Sequence, residues 1–266
     1  MRLEIIEALP SRASDKPPLL FLHGAFTGAW VWSEHFLDYM AAQGYAAYAV
    51  SFRGHGRSDG RESLWRHSLA DYVDDACLAI RTLGRAPVLV GHSLGGMVAQ
   101  RCIGREALAG LVLMAAVPPE GLLSTHTHLL LHDPGLWLEI IQLTNTGSRA
   151  HGRMSPRIRH MLFSEELAPA VADRYVSRMQ HESRRVLTEL QCPGLPRSAA
   201  EFRIPALVTG REQDRLIPRA TLTRTARFHG AELQRLPGDS HIMMLDAFWR
   251  DAGELLSGWL ARTYAT

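Results

Sequence analysis

Cysteine and long apolar runs are both scarce in this sequence. The 266 residues contain 3 cysteines, an odd number without the spacing of metal ligands: Cys77, Cys102 and Cys192. We therefore expect neither a disulfide framework nor a zinc site. No apolar stretch reaches the ~18 residues of a membrane span, and the first residues lack the apolar core of a signal peptide. These absences predict a soluble, cytoplasmic protein without a membrane partner.

The sequence also lacks a large excess of either positive or negative charge. The chain has 29 basic and 27 acidic residues, a net charge of +2, which gives no reason to expect nucleic acid as a partner. Lys16 is the single lysine, so the basic residues are almost all arginines, which indicates a compositional bias. The hydrophobic fraction of 46% and the charged fraction of 21% are ordinary for a globular protein with a sizeable core.

A strand, a sharp turn and a helix are predicted in succession over residues 88–100. Residues 88–90 are a short apolar run, which is typical of a buried strand. After residue 94, apolar side chains recur at helical spacing. The turn between them, residues 91–95, reads GHSLG, a G-x-S-x-G pattern in the context that indicates a nucleophile elbow. Ser93 is therefore the candidate nucleophile.

The glycines of this turn are explained by its tightness. A Cβ atom at position 91 or 95 would clash with neighbouring backbone, so we expect glycine to be required there. The turn raises the Ser93 hydroxyl above the edge of the sheet. It also places this hydroxyl at the start of a helix, where free N–H groups stabilise negative charge.

Strand-like and helix-like segments alternate over residues 1–117 and again over residues 204–266. This alternation predicts an α/β fold with a mostly parallel central sheet and helices on both faces. Residues 118–203 break the pattern with several helix-like pieces and no clear strand, and they are too long for a loop. We expect them to form a helical cap subdomain over the carboxyl ends of the strands, where such sheets bind ligands. The two flanking segments would form the core domain.

A serine nucleophile needs an adjacent base, and the base needs an orienting acid. After an elbow of this kind the acid comes first along the chain and the histidine second. Asp214 and His241 each follow a predicted strand, so both are expected at the same sheet edge as Ser93. Glu120, which follows an earlier predicted strand, remains the alternative acid.

These motifs and their order resemble those of the α/β-hydrolase-fold serine hydrolases, the superfamily of esterases and lipases. The resemblance implies Ser93 as nucleophile, His241 as general base and acid, and Asp214 as the orienting carboxylate. It also implies an oxyanion hole formed by the N–H groups of Ala25 and Leu94, with no cofactor and no metal ion. The matching segments are LHGA at 22–25, RGHGRS at 53–58, GHSLGG at 91–96, the spacing Gly210, Asp214, Pro218, and GDSH at 238–241.

Two further features are interpreted through the same resemblance. In relatives, the histidines that correspond to His23 and His92 usually tie loops together, so we expect structural roles for both. The strand before Arg53 commonly ends in aspartate in the superfamily, whereas Ser51 stands here. That aspartate is generally structural, so the change concerns the packing of the loop rather than catalysis.

Apolar side chains beside these motifs are the candidates for a substrate pocket. They would hold the acyl or alcohol part of a small, ester-like substrate. Three nearby histidines, His126, His128 and His132, suggest a metal site by spacing, but we interpret them as solvated residues of the cap. The pocket candidates are Phe26, Trp30, Met97, Val117, Ile242 and Met243.

We predict a serine hydrolase that cleaves a carboxylic ester of a small or medium acyl group through an acyl-enzyme intermediate. The same residues would serve a lactonase, thioesterase, amidase, carbon–carbon bond hydrolase, or cofactor-free perhydrolase or haloperoxidase, because fold alone does not decide chemistry. A small-molecule receptor of the same fold is the non-enzymatic alternative. Serine at position 93 disfavours the epoxide hydrolases and haloalkane dehalogenases, which use an aspartate nucleophile.

Overall fold

The computed structural model describes residues 1–146 and 155–265. Its strands are β1 (Glu4–Ala8), β2 (Leu19–Leu22), β3 (Ala47–Ser51), β4 (Val88–His92), β5 (Gly110–Met114), β6 (Ala206–Arg211) and β7 (Glu232–Leu236). They form one sheet in the order β1-β3-β2-β4-β5-β6-β7. Only the edge pair of β1 and β3 is antiparallel in this sheet, and the five other pairs are parallel. The predicted α/β fold is confirmed.

Helices connect the strands and cover the sheet. The α-helices outside residues 118–203 are α1 (Trp30–Ser33), α2 (Phe36–Ala42), α3 (Leu69–Thr82), α4 (Leu94–Cys102), α10 (Arg219–His229) and α11 (Trp249–Thr263), and a 3-10 helix spans Arg61–Arg66. Strands β2, β4 and β5 are buried along their whole length. Parallel strands covered on both faces need apolar side chains in both directions, which explains their continuous apolar sequences.

Residues 118–203, called the inserted segment below, lie between β5 and β6. Their described part contains no strand, one short 3-10 helix (Ala200–Phe202) and five α-helices: α5 (Leu123–His132), α6 (Pro134–Thr146), α7 (Pro156–Leu162), α8 (Pro169–Arg178) and α9 (Arg184–Glu189). The segment contacts the core through backbone hydrogen bonds, for example from the His241 N–H to the Met161 carbonyl at 3.1 Å. The division into a core domain and a cap subdomain stays a prediction. No helix among the described residues has both the length and the apolar character needed to cross a membrane.

Ser51 is held at the end of β3 by a carboxylate from the edge strand. Its hydroxyl donates to Glu4 Oε2 at 2.7 Å and accepts from the Ala29 N–H at 2.9 Å. The same Glu4 oxygen accepts from the Arg57 N–H at 3.1 Å. The loop after β3 is therefore packed around a carboxylate that comes from β1 rather than from position 51.

Candidate active site

Ser93 lies in a strained turn between β4 and α4. Its backbone has φ 50° and ψ −118°, a left-handed conformation that non-glycine residues adopt only where the surroundings enforce it. A Cβ atom on Gly91 would lie 2.4 Å from the Gly95 carbonyl oxygen, and one on Gly95 would lie 2.4 Å from the Leu22 carbonyl oxygen. The expected need for glycine at both positions is confirmed.

Three side chains from different strand ends meet at this turn. His241 Nε2 lies 3.0 Å from Ser93 Oγ, and His241 Nδ1 lies 2.8 Å from Asp214 Oδ2. The other Asp214 oxygen accepts from the N–H groups of Leu216 and Ile217 at 2.8 and 3.0 Å. With its Nδ1 hydrogen donated to Asp214, His241 presents the Nε2 lone pair to the serine hydroxyl. The arrangement can therefore remove a proton from Ser93.

Glu120, the alternative acid, lies in a different environment from Asp214. The Glu120 carboxylate pairs with Arg224 at 3.0 Å, and 39% of its side chain is exposed. Asp214, by contrast, is 2% exposed and directly contacts His241. The structure thus brings Asp214 to the histidine, while Glu120 lies in a surface ion pair.

The loop after β2 passes close to Ser93 because residue 24 has no side chain. A Cβ atom on Gly24 would lie 3.3 Å from Ser93 Cβ and 2.7 Å from a ring nitrogen of His92. The Gly24 carbonyl accepts a hydrogen bond from the Thr27 hydroxyl at 2.9 Å. Since the carbonyl and the N–H of a trans peptide point in opposite directions, the N–H of Ala25 points away from Thr27.

His23 fixes the same carbonyl as a neutral donor. Burial and the neighbouring charge of His55 lower the pKa of His23 to about 3. The neutral ring donates from Nδ1 to the Gly24 carbonyl at 2.8 Å and accepts the Phe52 N–H on Nε2 at 3.1 Å. His92 donates from Nε2 to the His241 carbonyl at 3.0 Å. Both histidines tie loops together, as expected.

The backbone N–H groups of Ala25 and Leu94 have no hydrogen-bond acceptor among the described residues. Leu94 is the first residue of α4, where the helix leaves its N–H groups without internal partners. Both residues line cavity space shared with Ser93. These two donors are thus available to stabilise negative charge on an oxygen bound beside the serine.

Two cavities extend from Ser93 and differ in size. The first measures about 100 Å³, includes His241 in its wall and is otherwise mostly apolar. The second measures about 450 Å³ and includes the polar side chains of His126 and Gln191 and the charged side chain of Arg184. The two share Ala25, Phe26, Ser93, Ile140 and Leu216. A substrate bound across the serine would therefore have one part in each cavity.

The predicted pocket residues are only partly brought to these cavities. Phe26 lines both, Ile242 lines the first and Val117 the second. Three candidates line neither: Trp30 packs against Tyr175 and Arg178, while Met97 and Met243 are buried in the core. For these three the pocket role stays a prediction, and the structure places them outside the walls of both cavities, because closeness to a motif along the chain does not set the direction of a side chain.

Most of the remaining cavity wall comes from the inserted segment and was missed by the sequence reasoning. Ile140, Met161, Leu162 and Met179 line the first cavity, and Leu187 lines the second. The feature of the sequence that could have indicated these residues is the helical spacing of apolar side chains. An apolar helix face has the same periodicity whether it packs in a core or lines a cavity.

The histidines of α5 do not form a metal site among the residues that the structure describes. No group of three His, Cys, Asp or Glu side chains in that part of the chain could hold a metal ion. His126 lines the second cavity, and burial lowers its pKa, so its ring is neutral at pH 7. The side chain of His128 lies outside the described residues. His126 is thus a wall residue rather than the solvated residue that we expected.

Comparison with known proteins gives a family and a set of distant relatives. The model of the alpha/beta hydrolase family matches residues 19–252. A non-heme haloperoxidase of Rhodococcus erythropolis is 36% identical over 106 residues, and a non-heme chloroperoxidase of Streptomyces lividans is 35% identical over 109. These matches cover 38% and 40% of this chain and 38% of each relative, so the chain aligns with less than two fifths of their length.

The fold itself is shared with a solved esterase. The structure of a thermophilic esterase from Thermogutta terrifontis superposes with a TM-score of 0.73. The superposition covers 98% of this chain and 94% of the esterase, at 17% identity. At this level of identity, the likeness concerns the arrangement of strands and helices.

Proposed function

Because the chain belongs to the alpha/beta hydrolase family, we propose that it is a serine hydrolase that cleaves carboxylic esters of small or medium acyl groups through an acyl-enzyme intermediate. The observation that carries the proposal is the hydrogen-bond relay from Ser93 through His241 to Asp214, with distances of 3.0 and 2.8 Å. The resemblance of the motifs to those of serine hydrolases supports the same assignment.

In the proposed mechanism, His241 Nε2 removes the proton of Ser93 as its oxygen attacks the ester carbonyl carbon. The resulting oxyanion accepts hydrogen bonds from the N–H groups of Ala25 and Leu94, each worth ~3–4 kcal/mol in the transition state. Asp214 stabilises the imidazolium ion. The alcohol leaves with the proton from His241. A water molecule then loses a proton to His241 and attacks the acyl carbon, the bond to Ser93 breaks, the acid leaves, and His241 returns the proton to Ser93.

The two cavities support an assignment of the two parts of the ester. His241 must protonate the leaving oxygen, and it lines only the smaller cavity, so the alcohol part is placed there. A mostly apolar space of about 100 Å³ suits a short alkyl alcohol. The acyl part then occupies the larger cavity of about 450 Å³, near His126 and Gln191.

Met179→Ala is expected to widen the alcohol preference. Met179 lines only the smaller cavity, and its truncation removes three heavy atoms from that wall. One methylene group more or less in a fitted pocket changes the ratio of kcat/KM between two substrates by ~10-fold or more. The ratio of kcat/KM for the butyl ester to that for the methyl ester of one acid should therefore rise about 10-fold. Steady-state hydrolysis of a series of alkyl esters measures this ratio.

The matched control is Leu187→Ala, which changes only the larger cavity. It should alter the preference among acyl chain lengths and leave the butyl-to-methyl ratio within about twofold. If Leu187→Ala changes the alcohol preference and Met179→Ala the acyl preference, the two parts of the ester are assigned the wrong way round.

Labelling by a fluorophosphonate probe tests the proposed function itself. The probe phosphonylates a serine, with loss of fluoride, only when a base activates the hydroxyl, so the protein should be labelled on Ser93 within minutes and lose its ester hydrolysis in parallel. Mass spectrometry of the labelled peptide identifies the site. A protein that is neither labelled nor active on a panel of esters, lactones and thioesters would contradict the proposal and favour the small-molecule receptor instead.

A second candidate, perhydrolysis, is favoured by the haloperoxidase and chloroperoxidase relatives. In that reaction hydrogen peroxide would replace water and attack the acyl-enzyme, so that a peracid leaves and Ser93 recovers its proton. Adding hydrogen peroxide to the ester assay decides between the two. Peracid formed at a rate comparable to acid release would favour this candidate, and acid release alone would favour ester hydrolysis.

A further inference from the structure

Glu182 and His55 form a buried charged pair beside the loop that contains Ala25, the proposed oxyanion donor. This pair takes no part in the hydrogen bonds that link Ser93, His241 and Asp214. Glu182, in the inserted segment between α8 and α9, has a fully buried side chain, as does His55. One oxygen of Glu182 accepts from the Tyr72 hydroxyl at 2.6 Å and from the Ser183 N–H at 2.7 Å. The other accepts from His55 Nε2 at 3.1 Å and from the Phe26 N–H at 3.3 Å.

Both partners of the pair carry charge. The two ring nitrogens of His55 face only acceptors, the Arg53 carbonyl at 3.1 Å and the Glu182 carboxylate, so both carry hydrogen. Burial opposes charge on His55, but the Glu182 carboxylate raises its pKa above the ordinary value. Burial also opposes charge on Glu182, but His55 and the hydrogen bonds lower its pKa to about 2. The imidazolium therefore offsets a carboxylate that would otherwise repel a nearby oxyanion.

The inserted segment holds both polar backbone groups of Phe26. The Phe26 N–H donates to Glu182, and the Phe26 carbonyl accepts from the Gln180 N–H at 2.9 Å. Phe26 has φ 65°, a left-handed conformation that costs a non-glycine residue free energy and persists only when neighbours impose it. The residue before it is Ala25, whose N–H is the proposed oxyanion donor.

Hydrogen bonds thus hold the backbone on both sides of Ala25. On one side, His23 and Thr27 from the core hold the Gly24 carbonyl. On the other side, the inserted segment holds the Phe26 N–H and carbonyl. The Ala25 N–H belongs to the peptide that the Gly24 carbonyl anchors, so its direction follows that carbonyl. The anchored Phe26 N–H and carbonyl hold the chain on the other side of the Ala25 Cα and so fix where that N–H lies.

We propose that Glu182 is a positioning residue for the oxyanion hole: it holds Phe26 in its left-handed conformation and so fixes the position of Ala25, whose N–H is directed by the anchored Gly24 carbonyl. This inference rests on the proposed acyl transfer at Ser93. It has a further consequence: Ala25 is held on both sides only while the inserted segment contacts the core.

Glu182→Gln tests the proposal, because the amide keeps the size of the side chain but cannot accept from all four donors. We expect kcat for ester hydrolysis to fall at least about 10-fold, with KM within about threefold. A trifluoromethyl ketone analogue of the ester, which forms an oxyanion with the serine, should bind about 10-fold or more weakly. The secondary alcohol of the same shape cannot form this oxyanion, and its binding should change less than twofold.

Two other variants complete the experiment. Glu166→Gln makes the same chemical change on an exposed side chain of the inserted segment and should leave all four measurements unchanged. Tyr72→Phe removes one donor to Glu182 and keeps the ring that stacks on Phe52. It should lower kcat and the affinity for the trifluoromethyl ketone by a smaller factor than Glu182→Gln, with KM unchanged.

A folded Glu182→Gln variant with wild-type kcat and wild-type affinity for the trifluoromethyl ketone overturns the proposal. If this variant does not fold, an unchanged Tyr72→Phe variant overturns it in the same way. In both cases the wild-type protein still hydrolyses esters, so the proposed function stands. Loss of that function as well would be recognised separately, as a wild-type protein that neither hydrolyses esters nor reacts with the fluorophosphonate.

Discussion

Replacing Ser93 by alanine is expected to lower kcat/KM for ester hydrolysis by at least about 10⁴-fold. The hydroxyl is the proposed nucleophile, and its oxygen lies 3.0 Å from His241 Nε2. The backbone donors of Ala25 and Leu94 remain in the variant, so weak binding of substrate should persist while turnover stops. Hydrolysis of a short p-nitrophenyl ester gives the rate, and equilibrium binding of a non-hydrolysable ketone shows that the cavities are intact.

The control for this variant is Ser198→Ala. Ser198 is also a buried serine, but its hydroxyl donates to the Phe228 carbonyl, and it lines neither cavity beside Ser93. Its activity should stay within about twofold of wild type, even if the unfolding free energy falls by ~1 kcal/mol through the lost hydrogen bond. Ester hydrolysis that survives in Ser93→Ala would mean that another group is the nucleophile.

Asp214→Asn is expected to lower kcat by about 10⁴-fold. The asparagine oxygen can still accept from the Leu216 and Ile217 N–H groups, which leaves its amide nitrogen toward His241. An amide N–H cannot accept the Nδ1 hydrogen, so the ring takes the other tautomer and presents Nε2–H to Ser93. His241 then has no lone pair on Nε2 with which to accept the serine proton. The measurement is kcat between pH 6 and 9, together with thermal unfolding of the variant.

Glu120→Gln is the matched comparison for the acid. Its ion pair with Arg224 is exposed, so its removal should change the unfolding free energy by ~1 kcal/mol or less and kcat by less than about twofold. The reverse result, with Glu120→Gln inactive and Asp214→Asn active, would assign the acid to the residue after β5. Equal and small effects would show that His241 needs no carboxylate.

The order of motifs along the chain was sufficient to predict the fold and the candidate relay. Each of Ser93, Asp214 and His241 follows a strand, and the carboxyl ends of parallel strands share one edge of the sheet. A pattern that is local in the sequence, a functional residue directly after a strand, therefore predicted that residues far apart in the chain lie close together. The exception was Glu120, which also follows a strand, and only the tertiary structure showed that it pairs with Arg224.

The walls of the site could not be predicted in the same way. Met97 lies one turn of α4 after Ser93 but packs in the core, while Ile140 of α6 lines both cavities from far along the chain. Side-chain direction near a motif depends on how the helix is packed, and a short apolar segment does not specify this packing.

Three features could be predicted from the sequence: the alternation of strands and helices, the glycine turn around Ser93, and the order of acid and base along the chain. Each of these depends on neighbours in the chain or on the common geometry of parallel sheets. Only the tertiary structure decided which residues of the inserted segment line the cavities and that Glu182 contacts Phe26. The contact between Phe26 and Glu182 joins residues 156 positions apart, and its geometry follows from packing that no local pattern encodes.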